Sequence, residues 1–107
     1  MRYDKLVRDR VPSIILEEDK IVVIHYASDE EYWAALKAKL LEEVGEVIKS
    51  KDDEELKKEL ADVLEVFQAI LMFKNFDSEE IVMLLINKGI EKGCFEKRII
   101  LEEVLEK

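Results

Sequence analysis

Only three glycines and one proline punctuate a chain of 107 residues. So few breaks favour a small number of long helices joined by short turns over many strands, and they exclude an all-β fold. Pro12 suits the first turn of a short helix running to about Glu18. Ser28, followed three residues later by Glu31, is a capping box that opens a second helix through about Ser50. Gly45 inside that helix costs about 1 kcal/mol relative to alanine, so either another backbone comes close there or the helix tolerates slack. Asp52 or Asp53 caps a third helix from about Glu54 to Lys74. Ser78, with Glu80 and Ile81 behind it, starts a fourth that ends near Gly89 or Gly93. Residues 20–27 form the one β-branched stretch, compatible with a short strand that an extended tail at residues 95–101 would pair with. The expected architecture is mainly all-α: a single domain over residues 1–107, a hairpin or bundle of about four helices with one short strand pair.

Acids interrupt the apolar lanes of the second and third helices. Trp33, Leu36, Leu40, Glu43 and Val47 recur at steps of 3, 4, 3 and 4, which sets Glu43 among apolar neighbours on the face that should be buried. An unpaired charge there costs on the order of several kcal/mol. On the third helix Leu56, Leu60, Val63, Phe67 and Ile70 form one lane, while Glu59, Asp62, Val66, Ala69 and Phe73 form a second that begins acidic and ends apolar. Only a few polar residues separate these helices, so they fold back as an antiparallel hairpin. At a rise of about 1.5 Å per residue, Glu43 and Glu46 reach heights above the turn similar to those of Glu59 and Asp62. The four carboxylates can then share one site, each Glu-x-x-acid pair turning two oxygen donors the same way.

Oxygen-only donors select hard cations. Diiron bundles use a Glu-x-x-His motif, and no histidine follows here, so Mg²⁺ or Mn²⁺ is favoured over iron or zinc. The competing interpretation is that acids three or four residues apart are ordinary solvated helix faces, which arise freely in a chain with 26 acidic residues. For Glu42, Glu54, Glu55 and Glu65 that interpretation is the better one; for Glu43 and Asp62 the lane position reverses it.

A formal net charge of −9 argues against binding a nucleic-acid polymer, although a nucleotide can still bind through a cation. One cysteine, Cys94, excludes an internal disulfide and any multi-cysteine zinc site, and His25 alone makes nitrogen-ligand metal sites poor candidates. Cys94 reads as inert and His25 as a partly buried structural residue. A reducing cytoplasm is the expected setting. The longest apolar runs, residues 69–73 and 81–86, fall far short of the roughly 20 residues of a membrane helix, and no signal-peptide pattern is visible. Trp33 and Phe67 lie on core lanes and read as packing rather than base-stacking groups. A chain this small buries only about two-thirds of its unfolded surface, so a second copy would help complete the core.

All four arginines lie outside the central hairpin: Arg2, Arg8 and Arg10 near the start and Arg98 near the end. Lys5, Arg8 and Arg10, with Lys88, Lys92, Lys97 and Arg98, can converge on the phosphates of a ligand whose metal sits among the carboxylates. By composition alone they are surface counterions.

The segment LLEEVGEV (residues 40–47), followed by ELADVLEV (residues 59–66), resembles the Glu-x-x-Glu, spacer, Glu-x-x-Asp signature of the MazG-like all-α nucleoside triphosphate pyrophosphatases. YDKLVRDRVPSII (residues 3–15) and KGCFEKRIILEEV (residues 92–104) resemble a small single-domain subgroup of that superfamily, related to phosphoribosyl-ATP pyrophosphohydrolase. Cys94 stands where the subgroup commonly has glycine. The resemblance implies Mg²⁺-dependent cleavage between the α- and β-phosphates of an ordinary or damaged nucleoside triphosphate, giving a monophosphate and pyrophosphate. It implies Glu43, Glu46, Glu59 and Asp62 as metal ligands and catalytic acids, with Lys5, Arg8, Lys92, Lys97 and Arg98 clamping phosphates. It also implies a homodimer or homotetramer. The alternatives are a phosphoribosyl-ATP pyrophosphohydrolase, a non-enzymatic helical oligomer whose acids pair with lysines across an interface, and a nucleotide-binding protein that does not hydrolyse.

Overall fold

The computed structural model describes residues 2–107. Its helices are α1 (Val11–Glu17), α2 (Asp29–Lys49), α3 (Asp53–Lys74) and α4 (Ser78–Lys92), and the described residues contain no strand. The fold is all-α. The chain divides into two compact units, the first ending at Asn75 and the second spanning Phe76–Lys107.

In the first unit the caps fall where local chemistry places them. Ser28 Oγ accepts from the Glu31 amide at 3.2 Å, and Asp52 Oδ1 accepts from the Glu55 amide at 2.8 Å. The other half of the Ser28 capping box does not form, because the Glu31 carboxylate lies 2.9 Å from His25 Nε2 instead. His25 is therefore an exposed partner of a helix cap, not the partly buried residue expected. Nor do residues 20–27 build a strand: Ile21 and Val23 are each 94% exposed, and a β-branched run without a neighbouring ladder has nothing to hold it as one. Likewise residues 95–101 carry no strand.

Only residues 50–52 separate α2 from α3, which pack against each other as the hairpin read from the sequence. Asn75 ends α3 in the left-handed conformation at φ 56°, where its N–H reaches the Leu71 and Met72 carbonyls. The α2 lane faces inward as expected, with Leu36 fully buried. On α3 the inward lane is the one that begins with Glu59 and Asp62, and Val66 is buried on it. Leu60 and Phe67 stay partly exposed at 46% and 40%, since a two-helix hairpin can cover only one lane of each helix. Trp33 packs as expected, stacked on Phe73 with ring centroids 6.1 Å apart, while Tyr32 meets the same ring edge-on at 5.1 Å. Lys74 Nζ sits 4.1 Å from the Trp33 ring centroid. Apart from its own stretch of helix, Gly45 has nothing within 4 Å of where a Cβ would stand, so of its two explanations slack is the one that holds within this chain.

In the second unit α4 is capped by Asp77, whose Oδ1 accepts from the Glu79 amide at 3.0 Å, and it ends at Gly93 with φ 83°. Among the described residues no helix is long and apolar enough to cross a membrane.

Candidate metal centre

Glu43 is buried at 9% exposure, projecting from the inward lane of α2. One turn apart on the facing lane of α3 stand Glu59 and Asp62, both half-buried. One carboxylate oxygen from each of Glu43, Glu59 and Asp62 lies within 4.8 Å of the other two. Glu46 is exposed and falls outside this group, yet remains near enough for its charge to act on Glu59. Partial burial, followed by the negative charges of Asp62, Glu46, Glu43 and Glu55, pushes the Glu59 carboxyl above the usual glutamate range. Like charges gathered this closely favour a positive charge beside them.

The donor set can be tested against Mg²⁺. Octahedral coordination at about 2.1 Å holds opposite oxygens about 4.2 Å apart, so carboxylates with this spacing need only a small side-chain contraction. All donors are oxygens, and the described residues place neither a histidine nor a cysteine in the group. The residues present fit a hard divalent cation.

Two basic residues from the N-terminal segment reach the acids. Arg8 Nη2 donates to Asp62 Oδ1 at 2.7 Å, and its Nη1 is 3.8 Å from Glu65 Oε1. Lys5 Nζ donates to Glu42 Oε1 at 3.3 Å. The other oxygen of Glu42 takes Lys39 Nζ at 3.3 Å, and that same ammonium lies 3.6 Å from Glu43 Oε1. Partial burial alone would raise the Glu42 carboxyl, but hydrogen bonds and charge from Lys5 and Lys39 outweigh it and hold the group below its ordinary range. Glu42 and Glu65, assigned to solvent from sequence, thus pair with the cations of this site. Lys39 was not singled out from the sequence, although its three- and four-residue spacing to Glu42 and Glu43 was a visible signal. The remaining basic candidates, Lys92 in the last turn of α4 and Lys97 and Arg98 beyond it, are exposed residues of the second unit.

The family model of the MazG nucleotide pyrophosphohydrolase domain matches residues 33–93, more than half of the chain. The chain belongs to the MazG family. The match covers all four acids and Lys39, while Lys5 and Arg8 precede it. An uncharacterised protein of Mycolicibacterium smegmatis is 56% identical to this MazG chain over 43 residues, which are 40% of the chain and 44% of that relative. The alignment thus spans less than half of the relative's length. No solved structure matches.

Proposed function

We propose that the chain is a Mg²⁺-dependent nucleotide pyrophosphohydrolase that cleaves a nucleoside triphosphate, ordinary or damaged, between its α- and β-phosphates. Water adds to one phosphorus, and a nucleoside monophosphate and pyrophosphate leave. The observation that carries this reading is the convergence of Glu43, Glu59 and Asp62 on the inner face of the α2–α3 hairpin, within the stretch that matches the MazG family. Glu46, exposed and three residues along α2 from Glu43, would be the fourth ligand. Mg²⁺, or Mn²⁺ in its place, supplies charge neutralisation at the phosphates and makes water a better nucleophile.

The chain's own groups do the rest. Arg8 and Lys5 stand beside the acids and offer donors to phosphate oxygens, a geometry for which a guanidinium is especially suited. Leu41, Ile48 and Leu64 on the hairpin are 75%, 79% and 60% exposed, which supports a homodimer or homotetramer that covers them. Exposed, unpaired Cys94 suits a reducing cytoplasm.

Incubating the chain with Mg²⁺ and a panel of nucleoside triphosphates, phosphoribosyl-ATP included, and separating the products tests the proposal. Monophosphate with pyrophosphate is the expected outcome. A diphosphate with orthophosphate contradicts the cleavage position, and an inert panel favours a non-enzymatic oligomer or a binding protein.

A further inference from the structure

Lys39 is the least exposed of the paired cations among the described residues, with its side chain 18% exposed. It lies one turn before Glu43 on α2, and a chain of ion pairs runs from Lys5 to Glu42, from Glu42 to Lys39 and from Lys39 to Glu43. Each oxygen of Glu42 is committed to a lysine, so Glu42 fixes the ammonium and also offsets its charge. Glu43 is buried, and Lys39 is its paired cation among the described residues.

We propose that Lys39 is a positioning residue of the carboxylate site: seated on Glu42, it holds Oε1 of Glu43 and fixes the orientation in which that carboxylate meets Glu59 and Asp62. The proposal rests on the metal-binding reading of those acids. It makes a claim opposite in sign to plain electrostatics. A bare positive charge beside a metal site repels the metal, so deleting it would tighten Mg²⁺ binding. Deleting a group that orients a ligand loosens binding, typically by about 10–100-fold.

Calorimetric titration of the full chain with Mg²⁺ alone separates the two. Lys39→Met keeps the apolar stem and removes the ammonium; its Mg²⁺ affinity is expected to fall by about 10–100-fold, with Lys39→Arg restoring most of the loss. Equal or tighter binding by Lys39→Met overturns the proposal and leaves Lys39 a counterion. Should circular dichroism show that variant unfolded, Lys39→Gln decides, since it too removes the ammonium and equal or tighter Mg²⁺ binding overturns the idea. A wild-type chain that binds no Mg²⁺ removes the metal-binding reading itself, a failure distinct from that of Lys39.

Discussion

Arg8 Nη2 lies 2.7 Å from Oδ1 of Asp62, joining the segment ahead of α1 to the acidic end of the inward lane of α3. The pair is exposed, at 58% and 39% of the side chains, so it adds little to stability. Arg8→Ala is expected to change the unfolding free energy by less than about 1 kcal/mol in a thermal melt. Its KM for nucleotide should rise about tenfold or more, the loss of a charge-assisted hydrogen bond of roughly 1.5–3 kcal/mol. An unchanged KM would mean that Arg8 serves only as the counterion of Asp62.

Mg²⁺ should stabilise the fold. A ligand that binds only the native state at 100 times its dissociation constant adds about 2.7 kcal/mol. The melting temperature is expected to rise with Mg²⁺ for the wild type and to stay flat for Glu43→Gln and Asp62→Asn. A shift retained in both variants would place the metal elsewhere.

The raised carboxyl of Glu59 sets a pH dependence whose sign follows from linkage. A glutamate whose folded pKa exceeds its unfolded value binds its proton more tightly in the native state. Its contribution is therefore full at acid pH and is lost as pH rises through the folded value. In metal-free buffer Glu59→Gln should match the wild type at acid pH and become the more stable protein toward neutrality. Glu42 acts in the opposite sense: its lowered carboxyl gives stability present above the ordinary range and lost as pH falls through the folded value. Urea midpoints of the wild type and Glu59→Gln across pH, repeated with Mg²⁺, check the assignment, since metal should abolish the advantage of the variant. A constant difference at all pH values would show that Glu59 is not the group responsible.

Gly45→Ala offers a test of the helix face next to the site. With nothing within 4 Å of the added methyl, the variant should gain about 1 kcal/mol from helix propensity alone. A loss of stability, read with the sedimentation behaviour, would reveal a second copy packed against that glycine.

The parts of the fold that were legible in the sequence are those decided within a few residues. Ser28 and Asp52 cap helices because each side chain needs only an amide three residues ahead, and the helix boundaries follow. Glu43 was legible because a helical period places it among Leu36, Leu40 and Val47 whatever the rest of the chain does. Which lane of α3 faces α2 was not, because the rotation of a helix about its own axis is set by its partner; Phe67 and Leu60 therefore proved exposed. Residues 20–27 had strand composition, but a strand needs a distant ladder that composition does not supply. Glu46 illustrates the tolerance involved: three residues along a helix turn about 300°, so it sits about 60° from Glu43, enough to leave one acid buried and the other in solvent. The pairing of Glu42 with both Lys5 and Lys39 depends on where the N-terminal segment lies, and no local pattern encodes that.

Pyrophosphate release, measured side by side for the wild type and Glu43→Gln with Mg²⁺ and the nucleotide panel, tests the central claim most directly. The wild type should release pyrophosphate from at least one nucleotide, lose that activity when Mg²⁺ is chelated, and lose it by about a hundredfold to a thousandfold on removal of the Glu43 charge, as for other groups that stabilise transition-state charge. Release that persists undiminished in a folded Glu43→Gln, or none from any nucleotide by the wild type, would contradict it.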